Sequence, residues 1–471
     1  MPNLTKSIAH NTFWQVLGKA VGTVLGLATI ALLTRYLGSE GFGYYSTALA
    51  FMQFFGVLVD MGLYIICLKE MAAQPANQTK IFNNILTLRV VSAFILLGGG
   101  SLLIFAFPYS AEVKWSGVIV AVSFFFMSLV QILTAVFQKY LKMGLVALAE
   151  VFGRVAFLAS VILLIYYNSS LTVIMWSNVA NTLVYFLILW FLIKKYVIIQ
   201  WAFDWTYWKT VLQKTWPIAL GIAFNLVYFR ADMIILSLYQ SASDVGIYGA
   251  PYKILEIIVT FPHMFMGMVM PILTVAWVSQ NLERFKNALQ KTFDFFMMLA
   301  MPMVLGSIPL AHKIMRLIAG PEFEASGKIL PALMLATGII FAGILFTYCL
   351  VILDKQKTML KYYFTAAVLS LIGYFIFIPR YSYFGAAWVT VVVELFIAVS
   401  AFILSYKFTR LKLSWNVFGK SLAASIIMTG IIYILPNWPV ILTLIFAIVI
   451  YALLMLLFKA FDKKLLADIF R

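Results

Sequence analysis

About fourteen runs of roughly 20 apolar residues follow one another along this chain, and no polar stretch between them is long enough to fold as a soluble domain. A helix of that length crosses the hydrocarbon core of a bilayer, and within lipid a chain must satisfy its own backbone hydrogen bonds. The approximate spans are 10–34, 43–67, 82–107, 115–138, 144–167, 171–193, 215–238, 246–275, 290–311, 328–353, 359–379, 384–407, 415–435 and 439–459. Composition agrees: 64% of the 471 residues are hydrophobic and 11% charged, where a soluble domain holds about half and about a quarter. The expected fold class is all-α, a polytopic membrane protein of about fourteen transmembrane helices. The first run is too long for a signal h-region and has no small-residue cleavage site after it, so it is expected to be retained.

The formal net charge of +17 does not point to nucleic acid, because the basic residues are scattered between apolar runs. Their distribution reads as a topology signal. With the N-terminus inside, 24 of the 34 Lys and Arg fall in inner segments, six in outer segments and four within spans. That bias predicts cytoplasmic N- and C-termini in a multi-pass protein of the plasma membrane. Cys67 and Cys349 lie far apart in apolar surroundings and imply no disulfide framework.

The chain also repeats itself. "FGYYSTA" at 42–48 and "VGIYGAP" at 245–251 share a pattern, each follows a short acidic, Ser-containing turn, and they are offset by 203 residues. Six spans separate the two copies, so both point the same way across the membrane. This predicts a parallel repeat of two six-helix lobes. The N-terminal lobe is expected over 1–196 and the C-terminal lobe over 215–412, followed by helices 13–14 and a cytoplasmic tail over 413–471. Between the lobes, residues 197–214 carry Trp201, Trp205 and Trp208 at helical spacing. They predict an interfacial amphipathic linker helix with its three tryptophans on one face.

Ionisable groups inside spans are costly and mark function by default. The cations are Lys19, Arg154, Arg230 and Lys253, with Arg35 closing span 1 at the outer side; the acids are Asp60, Glu150, Asp232, Glu256 and Glu394. Glu150 and Arg154 are four residues apart in the favourable order for pairing on one helix, and Lys253 and Glu256 are three apart. Lys19 and Asp60 lie at similar depth on neighbouring spans, so a structural pair and a ligand site are both open. Arg230 and Asp232 are two apart and share no helix face, so Arg230 needs a partner from elsewhere or an anion. Arg35 either snorkels to the outer headgroups or lines a site.

"TRYLGSEGFGYYSTALAFMQFFGVLVDMGL" (34–63) resembles the first hairpin of Wzx-type polysaccharide flippases. "FRADMIILSLYQSASDVGIYGAPYKILEIIVTFP" (229–262) resembles their seventh and eighth spans. These flippases share a superfamily with the multidrug and toxin extruders and the lipid II flippases. The resemblance implies two six-helix lobes that move an undecaprenyl-diphosphate-linked oligosaccharide from the inner to the outer leaflet by alternating access. It places Arg35 in the cleft against an anionic headgroup, and Arg230, Asp232 and Lys253 at the lobe interface. The lipid II flippases carry more arginines in the first hairpin than this chain, which disfavours lipid II as cargo.

The charge pattern suits that expectation. A diphosphate needs cationic partners in low dielectric, and Arg grips it in bidentate fashion. The expected substrate-binding groups are Arg230, Arg35, Lys253, Lys19 and Arg154; Asp60, Asp232, Glu256 and Glu394 are candidates for ion coupling or counter-charge. No G-x-x-x-x-G-K-[ST] loop is present, so ATP is not the direct energy source. A membrane potential of 100 mV favours outward movement of two negative charges by about 4–5 kcal/mol, and proton or sodium entry is the other option. No metal-spaced cluster or cofactor motif is present, so no cofactor and no catalysis are expected. The expected partners are the lipid-linked oligosaccharide, membrane lipids and polysaccharide polymerase and export machinery, with no nucleic acid; the chain is expected to act as a monomer. The alternatives are an ion-coupled multidrug exporter of the same fold and, further off, a membrane-embedded glycosyltransferase or polymerase.

Overall fold

The computed structural model describes residues 2–435 and 438–460, with side chains from Trp14 onward except at 217–218. Lys463, Lys464 and Arg471, in the tail expected to be cytoplasmic, lie outside the described residues. The described chain is helical with no strand. Its helices are α1 (Pro2–Asp60), α2 (Leu63–Ala73), α3 (Gln78–Leu103), α4 (Ala111–Lys139), α5 (Met143–Tyr166), α6 (Leu171–Ile174), α7 (Trp176–Ile193) and α8 (Trp205–Tyr239). They continue with α9 (Ala242–Val278), α10 (Leu282–Ile318), α11 (Leu330–Ile352), α12 (Gln356–Thr409), α13 (Asn416–Ile434) and α14 (Val440–Leu457).

Among the described residues, twelve helical segments are long and apolar enough to cross a membrane. The segment 14–73 and α12 each hold two of the apolar runs, so all fourteen runs are helical. The breaks inside these two segments have local causes. Gly38 takes φ 65° in the "GSEG" turn of α1, a conformation that costs glycine little and other residues more. Ser382 (φ 50°) breaks α12 just after Pro379. A further break at Met61–Gly62, both at positive φ, ends α1 at Asp60 and restarts the chain as α2, inside the expected second span.

The chain divides into two compact units, Met1–Gly246 and Ile247–Arg471. In the first, α1 packs on α5, α4, α3 and α8, and α7 packs on α4 and α5. Buried Leu, Ile, Val and Phe from α2, α3, α4 and α7 form an apolar core there, closed by Trp208 and Val211 from the start of α8. In the second, α11 packs on α10 and α12, and α13 and α14 lie against α10 and each other. The Ser326 hydroxyl there donates to the Ile247 carbonyl at 2.7 Å, tying the turn after α10 to α9.

The linker differs from its expected form. Residues 197–204 are not helical, so Trp201 lies outside any helix, and α8 runs unbroken from Trp205 through the seventh span. Its 35 residues make a rod of about 52 Å, longer than the hydrocarbon core by some four turns. The three tryptophans therefore share no face. Trp201 and Trp205 are exposed, whereas Trp208 is buried and donates its indole N–H to the Asn84 carbonyl at 3.1 Å. Hydrogen bonding decides this arrangement. The Asn83 amide donates to Ile198 O at 3.0 Å and accepts from Gln200 N at 3.2 Å, and Thr87 Oγ1 accepts from Ala202 N at 3.2 Å. These bonds satisfy the backbone of an extended segment laid along α3. Glu70 then clamps α8, accepting from the Tyr207 hydroxyl and from Lys214 Nζ at 2.6 Å. Burial, reinforced by the bond to Glu70, raises the Tyr207 hydroxyl well above the usual phenol range.

Candidate functional site

In the first unit, two of the expected cations converge on one acid. Glu150 Oε1 accepts from Lys19 Nζ at 3.2 Å and from Arg154 Nη2 at 3.4 Å. The Glu150–Arg154 pair follows from i,i+4 spacing on α5, while Lys19 reaches it from α1. A stripe of glycines on α1 permits the approach. A Cβ at Gly18 would lie 2.9 Å from the Ala147 Cβ, and one at Gly26 would lie 3.0 Å from Arg154 Nη1. The guanidinium therefore lies along a surface that a larger residue would occupy.

The trio faces away from lipid. On α5 the exposed apolar residues Leu148, Phe152, Val155 and Ile162 mark one face. At 100° per residue, Glu150 and Arg154 fall about 200° and 240° from Leu148. Yet the side chains of Lys19, Glu150 and Arg154 keep 35%, 22% and 33% of their surface. The three are thus partly open charged groups opposite the exposed apolar face of α5, with a net charge of +1.

Asp60 does not join Lys19. It takes Arg89 of α3, whose guanidinium is fully buried and donates to Asp60 Oδ1. Depth matched for Lys19 and Asp60, but α3 lies nearer to Asp60 than the Lys19 turn of α1 does. Arg89 had counted as an inner-segment cation, and its burial makes it a structural charge within the membrane. The signal that finds it is its place: an arginine several turns into an apolar helix, with an acid inside the preceding span to receive it.

The other candidates have further contacts of their own. Arg35 is exposed and donates to the Ala31 carbonyl at 3.3 Å. Arg230 is half-buried with its guanidinium 5.4 Å from the Phe229 ring centroid, and Asp232 is fully buried and accepts from Met233 N at 2.7 Å. In the second unit, Lys253 Nζ donates to Glu256 Oε2 at 2.9 Å, the pair that i,i+3 spacing predicts, and Glu394 is buried on α12. Buried Asn178, which accepts from the Tyr45 hydroxyl at 3.1 Å, serves as a helix–helix hydrogen bond.

The two copies of the repeated loop touch within the first unit. A Cβ at Gly43 would lie 1.7 Å from the Ala242 carbonyl oxygen, and one at Gly246 would lie 1.9 Å from the Ser39 carbonyl oxygen. Ser39 and Ala242 are themselves 203 positions apart, as are Gly43 and Gly246, so each copy offers the other the same glycine and the same carbonyl. The Ser243 hydroxyl donates to Ser39 Oγ at 2.9 Å across this contact.

A model of one protein family, described as "Polysaccharide biosynthesis protein", matches residues 8–277, more than half of the chain. The chain belongs to that family. A second model, MatE, matches residues 217–376. A Shigella flexneri protein that is named, provisionally, as an O-antigen transporter is 21% identical over 431 residues, covering 86% of this chain and 98% of that protein. Among solved structures, the lipid II flippase MurJ in an inward closed conformation superposes with a TM-score of 0.78 at 17% identity, covering 97% and 99% of the two chains. A multidrug resistance MATE family transporter of the MOP superfamily, in an inward-facing conformation, gives 0.67 at 14% identity over 85% and 98%. The fold is that of these transporters, as the resemblance in the first hairpin and in spans 7 and 8 implies. This family member is a multi-pass membrane protein of polysaccharide biosynthesis with the fold of these transporters.

Proposed function

We propose that the protein moves an undecaprenyl-diphosphate-linked oligosaccharide from the cytoplasmic to the outer leaflet of the plasma membrane by alternating access, with both termini in the cytoplasm. The observation that carries this reading is the convergence of Lys19 and Arg154 on a face of the first unit that is turned from lipid yet open. Two cations on such a surface suit the diphosphate, which brings about two negative charges into low dielectric. Arg35, Arg230 and Lys253 would engage the headgroup at other stages of the cycle, with Asp60, Asp232, Glu256 and Glu394 balancing charge or coupling an ion. Support for the orientation comes from the Lys and Arg bias, which survives the removal of Arg89 from the inner count.

Alternating access requires a contact that is made in one state and absent in the other. The exchange between Gly43 and Gly246 is suited to that part, because its close backbone approach leaves no intermediate packing for a side chain to fill. The protein would act as a monomer and hand its product to polymerase and export machinery.

The test is flipping in proteoliposomes. Purified protein is reconstituted with fluorescent undecaprenyl-diphosphate oligosaccharide, and accessibility is followed under an imposed potential. Wild type is expected to flip the lipid, and Lys19→Gln, Arg154→Gln, Arg35→Ala and Arg230→Ala are each expected to slow it by an order of magnitude or more. Export of an organic cation with no movement of any diphosphate-linked sugar would assign the protein to the drug-exporting branch instead.

A further inference from the structure

Glu150 sits where an anionic ligand would sit. One of its oxygens is shared by two cations, at 3.2 Å and 3.4 Å, and both contacts are longer than the 2.7–2.9 Å of a well-formed charged hydrogen bond. Two cations that share a single oxygen can each take an acceptor of its own from a larger anion. The carboxylate is also tethered, so it competes with any ligand at a high local concentration.

We propose that Glu150 is a specificity-determining counter-ion: it occupies the anion site between Lys19 and Arg154, and only a headgroup with two phosphates displaces it. This rests on the transport reading above. A group with one phosphate bridges the two cations no better than the carboxylate already does, so it gains little by exchange. A diphosphate gives each cation a phosphate of its own, and Glu150 swings toward the open interior, where water solvates it. Discrimination then arises from what the site does to the wrong ligand as much as from what it does to the right one. The glycine stripe contributes by letting Arg154 lie flat against α1, with Nη1 over Gly26 and its Nη2 edge turned to Glu150.

The experiment measures binding to the full chain in nanodiscs. The probes are undecaprenyl diphosphate, undecaprenyl monophosphate, inorganic pyrophosphate and inorganic phosphate. Wild type is expected to prefer the diphosphate member of each pair on the order of tenfold. Glu150→Gln is expected to tighten binding of all four, the monophosphates most, so that the preference falls to about threefold or less. Glu150→Asp keeps the charge on a shorter arm that cannot reach both cations, and it is expected to lie between; it also decides the matter should Glu150→Gln fail to fold. Selectivity unchanged in both variants, or weaker binding in Glu150→Gln, would overturn the proposal and leave Glu150 a structural partner. If the inorganic pair shows the filter and neither lipid binds, the transport reading fails and the counter-ion stands. If the lipids bind and the filter is missing, the reverse holds. Absence of all anion binding sinks both.

Discussion

Replacing Gly43 or Gly246 by alanine tests whether the contact between the repeated loops is a working closure. The added Cβ would lie 1.7 Å from the Ala242 oxygen in one case and 1.9 Å from the Ser39 oxygen in the other. The neighbours are backbone, so no rotamer relieves the clash, and reaching a tolerable C···O distance of about 3.3 Å requires a retreat of about 1.5 Å. Overpacking of this kind costs about 1–3 kcal/mol, a loss of roughly 5- to 150-fold in the population of the closed contact. Both glycines lie in helices, where alanine is favoured by about 1 kcal/mol, so the helices themselves are not weakened. The reporter is a disulfide between Ser39→Cys and Ser243→Cys, whose hydroxyls stand 2.9 Å apart. Its rate of formation under mild oxidant is expected to fall in either alanine variant while thermal stability holds, and flipping is expected to slow. Because one displacement relieves both clashes, the double variant is expected to fall little further than the singles. Cross-linking at the wild-type rate in both alanine variants would refute the closure.

Further expectations follow from the other contacts. Arg89 is fully buried, and its Nε and Nη1 have no partner among the described residues, so Asp60 is its main support; Asp60→Ala is expected to cost about 3–5 kcal/mol in a thermal or denaturant melt. The double variant Asp60→Ala/Arg89→Met is expected to recover most of that loss, and a double no better than the single would show that the pair is not the cause. Gly26→Leu is expected to push Arg154 off α1 and abolish flipping with a smaller stability loss, about 1–3 kcal/mol; unimpaired flipping would count against the position assigned to Arg154. Glu70→Ala is expected to free Tyr207 and Lys214 and to expose residues 197–204 to protease, read as faster cleavage at constant expression. The raised Tyr207 hydroxyl holds its proton more tightly folded than unfolded. The clamp is therefore complete below the ordinary phenol value of 10.0 and weakens as pH rises above it, measured as the onset of cleavage at alkaline pH.

The fourteen apolar runs, the 203-residue repeat and the pairs Glu150–Arg154 and Lys253–Glu256 were all legible in the chain itself. Each depends on local spacing: run length against bilayer thickness, or the three- and four-residue period of a helix face. Tertiary packing decided the rest. That Asp60 takes Arg89 and Lys19 takes Glu150 depends on which helices are neighbours, and depth along separate spans does not encode adjacency. Trp208 looked interfacial by its spacing, yet a carbonyl of α3 and an apolar core claimed it. The glycines at 18, 22 and 26 were ordinary until α5 and Arg154 lay upon them, and the repeat was only a pattern until its two copies met through Gly43 and Gly246. A sequence determines what each helix can present; which helix receives it is a property of the packed whole, because contact energies between apolar spans in lipid differ too little, one pair from another, to be read from either partner alone.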